Sequence, residues 1–366
     1  MIGFNYVSHA QEVIFAPSAL ARLREGVERF GWGRLMLCAS PSMREAGWIS
    51  RIEVSFGEKL VALFDRVQPH VQDVQVQEAL ALAQETNTDA VIGIGGGSPI
   101  GMAKAIGFQL HLPIVAIPTT YAGSEMTPVY GITHTNENPP RKVTVNDPKI
   151  TPRLVIYDPE LTLDLPPSLT ASTGINALAH CIEALYSKTR NPLSTAAAIM
   201  GVRHIHNSLF HSFQEGRNID ARAEMLLGAH LAGFSLASVS MGLHHGLCHV
   251  LGGTANVPHG IANGIVLPHA IHFNADVTAA QLIPAAEALG ISSNGINSKG
   301  VIETMAQSIF ELIGRMNLPQ RLRDAGVAES ELPRLAEIAF QNRTVQSNPK
   351  PIANVEQLER LLRDAW

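Results

Sequence analysis

Over the first 160 residues, short apolar runs are cut off by small polar residues, glycine or proline. Residues 35–40 (LMLCAS), 60–64 (LVALF), 89–98 (DAVIGIGGGS) and 112–120 (LPIVAIPTT) share this pattern, the last broken at Pro118. Such runs are too short for helices and their flanks carry breakers, so the pattern predicts strands. Residues 74–84 (VQVQEALALAQ) instead repeat apolar positions at helical spacing. Strands alternating with helices imply a parallel sheet with helices on both faces. After about residue 160 the texture changes. LTLDLPPS (161–168) supplies prolines and a serine at which a helix can start. Beyond it, Ala- and Leu-rich segments have helical spacing at 169–187, 192–214, 219–238, 241–251, 279–289, 299–316, 330–341 and 355–365. The reading is an α/β domain over residues 1–160 and an all-helical domain over 161–366.

Composition narrows the class. The 366 residues are 46% hydrophobic and 16% charged, ample for a sizeable core. A net charge of −5 on a mixed surface gives no footprint for nucleic acid. Cys38, Cys181 and Cys248 are too few and scattered for a disulfide framework, which fits a reducing compartment. No apolar run reaches the roughly 20 residues of a membrane span, and the N-terminus lacks signal-peptide order. The expectation is a cytoplasmic protein without a membrane partner.

The 89–98 strand runs into GIGGGSPIGMAKAIG (93–107), which opens a predicted helix. Glycines let a phosphate approach the backbone, and a helix start offers free N–H groups. Gly95, Gly96, Gly97 and Ser98 are therefore candidates for a pyrophosphate cradle, with a plain glycine turn as the alternative. The spacing is neither G-x-G-x-x-G nor a P-loop. PTTYAGSEMTP (118–128) follows a second strand and offers Thr119, Thr120 and Ser124 to the same ligand. Ligands bind at the carboxyl ends of parallel strands in such sheets. An acidic residue after the 35–39 strand would hold the adenosine ribose and repel a 2′-phosphate. Ser40 stands there, so NADH and NADPH are both expected as cofactors.

The densest chemical signal is MGLHHGLCHVLGGTANVPHGIANGIVLPHAIHF (241–273). His245 and His249 are one helical turn apart and share a face. His259 follows a Gly-Gly pair and a proline that let the chain return, and His180 is the fourth candidate. Imidazoles suit zinc and iron, acid–base work, or hydrogen bonds to an oxyanion. His244, His269 and His272 are assigned to packing or surface, and His204, His206 and His211 to a solvated face. Lys142, Lys149 and Arg343 are read as surface charges.

GGGS, PTT, DPELTLDLPP, GINALAHCIEALY and HxxxHxLGG…PHG together resemble the iron-containing, or group III, alcohol dehydrogenase superfamily, across nearly the whole chain. The resemblance implies a dehydroquinate-synthase-like architecture: an α/β dinucleotide domain, a helical domain and a cleft between them, commonly as a homodimer. Metal-dependent members carry one Asp and three His, at positions that fall here on Asn176, His180, His245 and His259. The Asp is missing. A second Asp, in the glycine-loop helix, is Gly101 here, and the second loop is one residue short. These departures are similar to the maleylacetate reductase branch, which does not generally need a metal. HGIANGIVLPHA (259–270) is instead closer to the metal-dependent alcohol or aldehyde dehydrogenases.

The branch implies NAD(P)H-dependent reduction of maleylacetate, a small dicarboxylate, to 3-oxoadipate in aromatic-compound degradation, with no metal. Hydride on the alkene carbon beta to the ketone sends charge to the ketone oxygen, which preorganised donors must stabilise. His245, with His180 or His259, is the expected donor. His249 is a candidate to hold substrate or cofactor or to relay the proton, and Tyr121 a candidate hydroxyl donor with a packed ring as the equal alternative.

Overall fold

The computed structural model describes residues 4, 6–134, 141–292 and 294–366, with backbone only at 141 and 142. The chain divides into two units: Ser8–Leu165, and Pro166–Trp366 joined by the residues before Ser8. The division falls inside LTLDLPPS, a few residues beyond the expected boundary. Tyr6 belongs with the second unit, its ring 6.2 Å from that of Phe234.

The first unit holds β1 (Glu12–Phe15), β2 (Leu35–Ala39), β3 (Leu60–Phe64), β4 (Ala90–Gly95), β5 (Ile114–Pro118), β6 (Val129–His134), β7 (Arg141–Asn146) and β8 (Leu154–Tyr157). Six of them form a parallel sheet in the order β1-β8-β5-β4-β2-β3. Strands β6 and β7 pair antiparallel in a separate ribbon. Every residue of β2, β4 and β5 is buried. Helices cover both faces, so these strands read as unbroken apolar runs. Leu35, Leu37 and Ala39 pack on one side with helices α1 (Leu23–Arg29) and α3 (Trp48–Phe56), which flank the short α2 (Pro41–Glu45). Met36 and Cys38 pack on the other with α4 (Asp73–Glu85) and α5 (Gly97–Leu110). Four strands lie outside the pattern-based expectation. β1 and β8 have four residues each, and β6 and β7 carry Thr, Lys, Arg and Gly in place of an apolar run.

The second unit is helical: α6 (Pro167–Tyr186), α7 (Pro192–Gln214), α8 (Ile219–Ala237), α9 (Leu243–Thr254), α10 (His259–Ala288), α11 (Ser298–Arg315), α12 (Leu332–Gln341), α13 (Arg343–Gln346) and α14 (Val355–Asp364). Capping sets the starts. Asn191 accepts from the N–H groups of Leu193 and Ser194 at the head of α7, and Asn297 from Gly300 at the head of α11. Residues 259–278, outside the segments marked as helical by spacing, are the first two-thirds of α10, which continues through Pro268. An interior proline costs about 3 kcal/mol. Ile265, Val266, Leu267 and Ile271 are all essentially fully buried around it. Each gains roughly 1.5–3 kcal/mol on burial, so the sum outweighs the lost backbone bond.

Candidate active site

The cofactor candidates of the first unit gather at the carboxyl ends of three neighbouring strands. Ser40 follows β2, the glycine loop follows β4, and Thr119, Thr120 and Ser124 follow β5. The chain leaves β2 toward β3 and leaves β4 toward β5, so strand order reverses between β2 and β4. That switch point is where open α/β sheets bind ligands.

Within the loop the four candidates differ. Gly95 is buried, ends β4, and has φ +136°; a Cβ there would lie 2.8 Å from Pro99 Cγ. It shapes the turn and offers no surface. Gly96 lets the chain pass Thr120, whose Cγ2 would be 3.2 Å from an added Cβ. Gly97 is exposed, with nothing within 4 Å of its Cβ position, and it is the first residue of the 14-residue α5. Open space before unpaired helix N–H groups fits a phosphate. The Ser98 hydroxyl accepts from the His70 N–H at 3.2 Å and keeps its own proton to donate. Thr119 is buried and bonds through its N–H to the Gly95 carbonyl at 3.0 Å. Thr120 and Ser124 are half-buried, and Ser40 is half-buried with its hydroxyl 2.9 Å from that of Ser42. At Gly101, Val71 Cγ2 would stand 2.9 Å from a Cβ, so the space an aspartate would need is filled by the chain after β3. Tyr121 is completely enclosed in this unit, which is the packed-ring alternative.

In the second unit the structure brings the four histidine candidates into one row. The rings of His180 (α6) and His245 (α9) stack at 4.8 Å, His245 and His259 (start of α10) lie at 6.5 Å, and His259 and His249 (α9) stack at 5.9 Å. The row grades from buried His180 and His245 to exposed His249 and His259. Asn176, also buried, precedes His180 by one turn on the same face of α6. Gly260 lets α10 begin against α6: a Cβ there would be 2.8 Å from Ser172 Cβ. His244 is not a surface residue. It is fully buried, its ring 4.8 Å from that of His245. His269 is half-buried and His272 exposed, as are His206 and His211; His204 is half-buried beside Glu224 at 3.5 Å. Lys149 and Arg343 are exposed, and the Lys142 side chain lies outside the described residues.

Sequence reasoning overlooked Glu183, one turn beyond His180 on α6. It is completely buried, and its carboxylate accepts from the N–H groups of Gly242 (3.0 Å), His244 (3.0 Å) and His245 (3.3 Å). It also accepts from His245 Nδ1. A single carboxylate in the apolar run CIEALY was the available signal, because such a charge is buried only with partners. The contacts assign the protons. His244 Nε2 donates to the Asn263 carbonyl at 3.2 Å, leaving its Nδ1 as an acceptor 3.2 Å from His245 Nδ1. His245 therefore carries its proton on Nδ1 and leaves Nε2 bare. Nε2 is buried with no hydrogen-bond partner among the described residues, as is His180 Nδ1. Burial pushes His244 down to about 4 and His245, with His249 nearby, to about 3. It holds His180 well below the usual histidine range, helped by His245, His244 and His249. Burial raises Glu183, against His244 and the three N–H groups. The resting cluster is neutral imidazole beside one saturated carboxylate.

That donor set does not fit an iron centre of the carboxylate-and-imidazole kind. Asn176 brings a neutral amide where an anion is needed. Among the described residues, the one trio of His, Cys, Asp or Glu with ligand atoms within 4.8 Å of one another is Glu183, His244 and His245. Glu183 has spent its oxygens on the N–H groups above.

Residues 10–159 match the iron-containing alcohol dehydrogenase family, and residues 170–366 match the C-terminal part of the Fe-containing alcohol dehydrogenase family. Maleylacetate reductase of Pseudomonas knackmussii is 36% identical, over 100% of this chain and 98% of that protein. The crystal structure of maleylacetate reductase from Agrobacterium tumefaciens superposes with a TM-score of 0.90 at 32% identity, covering 100% and 99% of the two chains. An iron-containing alcohol dehydrogenase from Corynebacterium glutamicum superposes at 0.87 with 35% identity, covering 100% and 97%. The protein is a member of the iron-containing alcohol dehydrogenase family of oxidoreductases.

Proposed function

We propose that this protein reduces maleylacetate to 3-oxoadipate with NADH or NADPH and without a metal, as a cytoplasmic homodimer serving aromatic-compound degradation. Asn176, one turn before His180 of the stacked His180–His245 pair, carries the reading: the row keeps its imidazoles, and position 176 lacks the anion that would hold a cation among them. The names of the relatives at 36% and 32% identity support the substrate. Among the described residues no helix is long and apolar enough to cross a membrane.

Gly96, Gly97 and Ser98 hold the pyrophosphate through their backbone, and Thr119, Thr120 and Ser124 line the second loop. Bound nicotinamide dinucleotide supplies the hydride. The protein's task is the other half of the balance: one alkene carbon gains hydride, its neighbour gains a proton, and charge on the ketone oxygen must be held meanwhile. A bare His245 Nε2 accepts and does not donate, so His245 serves this role once protonated. A dianionic substrate supplies the reason, because negative charge within a few ångströms favours the imidazolium. Glu183 on the Nδ1 side keeps the ring aimed and shares the positive charge, as a buried carboxylate does in a His–Asp pair. His259 and His249, exposed at the other end of the row, pass the proton in from solvent. Tyr121 takes no part.

The test is an NAD(P)H-oxidation assay on maleylacetate beside a panel of aldehydes and ketones, with metal content measured on the same sample. Turnover of maleylacetate that survives EDTA is expected. Loss of turnover to EDTA, restored by iron or zinc, would sink the metal-free mechanism. The second reading, a metal-dependent alcohol or aldehyde dehydrogenase, is favoured by the unpartnered His245 Nε2, since three neutral imidazoles can hold zinc. Asn176→Asp separates them by calorimetry: zinc affinity should rise at least tenfold, and an unchanged affinity would mean the four positions do not converge.

A further inference from the structure

Lys104 has no exposed surface. It stands on α5, the helix that opens with the glycine loop. Its ammonium donates to three main-chain carbonyls, those of Ser124, Thr127 (2.7 Å) and Val129 (2.9 Å), and lies 3.2 Å from Thr127 Oγ1. All four oxygens belong to the loop after β5 or to the strand that loop enters. This is an oxygen cage of the kind that binds a monovalent cation, filled from within by a lysine. Without a cation, these carbonyls would share the Thr127 N–H (3.2 Å to Ser124) and one Thr127 hydroxyl proton (3.1 Å to Ser124, 3.3 Å to Val129), too few donors for a buried cage. Only the ammonium form has a donor for each carbonyl; a neutral amine has two.

The same loop is gripped from other sides. Thr119 bonds the Gly95 carbonyl, and Gln11 Nε2 donates to the Glu125 carbonyl at 3.0 Å. The Tyr157 hydroxyl on β8 donates to buried Glu125 at 2.6 Å. Burial draws Lys104 down to about 7, and the Glu125 charge works against that. A methionine would fill the same length without the desolvation a buried charge suffers. The cation adds three donors to backbone that the Thr127 hydroxyl and N–H hold only in part.

We infer that Lys104 is a positioning residue for the dinucleotide: its ammonium folds the loop after β5 into the form that faces the glycine loop, joining both loops into one binding surface. This rests on reading those loops as the cofactor site. It is tested by NADH fluorescence titration with thermal melting on the wild type, Lys104→Met and Lys104→Ala. Lys104→Met should melt cooperatively and bind NADH at least tenfold more weakly. Lys104→Ala should regain affinity in millimolar propylammonium chloride and not in sodium chloride of equal ionic strength. This second variant decides the matter if Lys104→Met does not fold. Wild-type affinity in Lys104→Met, or equal recovery in the two salts, overturns the inference. A wild type that binds no NADH overturns the reading of the loops, and the inference with it.

Discussion

The two units build their working surfaces from different materials. In the α/β unit the proposed binding groups are backbone N–H groups at strand ends, placed by the path of the chain through Gly95, Gly96 and Gly97. In the helical unit they are ring nitrogens from α6, α9 and α10, and what those nitrogens can do is decided by one carboxylate, Glu183. A backbone surface degrades gradually when side chains around it change. A ring surface fails at single positions, because one proton on one nitrogen is the whole function. Substitutions should therefore give large, discrete losses in turnover in the helical unit, and shifts of cofactor preference where a side chain merely borders the backbone surface of the α/β unit.

The largest loss belongs to His245. His245→Ala should lower turnover by about 10²-fold or more, the usual scale for removing a proton donor or oxyanion partner. NADH affinity, carried by the other unit, should stay near wild type. Steady-state kinetics beside an NADH titration read both, and unchanged turnover removes His245 from the mechanism. Glu183→Gln comes next, at about 10- to 100-fold in kcat, the scale seen when a group that orients an imidazole is replaced. An amide can present its NH₂ to Nδ1 and turn the ring to the Nε2–H tautomer. Nitrogen-15 NMR of the histidines reports that directly: a tautomer unaltered by the substitution would show that Glu183 does not set it.

The difference between the units also explains what could be read from the chain. LMLCA became β2 within its predicted run because a doubly covered parallel strand is apolar throughout. The histidine row was legible as residue types at helical spacing. Three things were hidden for one reason: they depend on a neighbour distant in sequence. Glu183 is one charge in an apolar helix until α9 brings three N–H groups to it. Lys104 looks like a surface lysine until the loop after β5 wraps it. The helix through Pro268 goes unmarked by spacing until burial of its neighbours outweighs the proline.

Acid should separate the units as well. His180, His244 and His245 have folded pKa values below the ordinary 6.5, with His244 at about 4 and His245 at about 3. Below pH 6.5 the unfolded chain binds protons that the folded cluster refuses, so stability present at neutral pH is lost as pH falls toward 4. Glu183 works in the opposite sense, because its folded pKa is raised and the folded state takes that proton first. Three histidines less one carboxylate leave a net slope of up to about 3 kcal/mol per pH unit, at roughly 1.4 kcal/mol per proton. Guanidinium unfolding at pH 7, 6 and 5 measures it, followed by a probe in each unit. A flat midpoint across that range would mean the cluster is already charged when folded.

The smallest effect is expected at Ser40, where the α/β unit chooses between cofactors. Ser40 ends the crevice at β2 and is half-buried, so a new carboxylate would be partly screened by water. Two charges roughly 4 Å apart interact by about 1 kcal/mol in water and about 4 kcal/mol near a protein surface; a half-buried site falls toward the lower figure, at about 1.4 kcal/mol. Ser40→Asp should therefore weaken NADPH about tenfold relative to NADH, with kcat on NADH unchanged, because the carboxylate meets the adenosine ribose and not the reacting ring. The ratio of kcat/KM for the two cofactors, wild type against variant, gives the answer. A ratio that does not move would place the adenosine end away from β2, and the crevice between β2 and β4 would lose its claim to the dinucleotide while the histidine row kept its own.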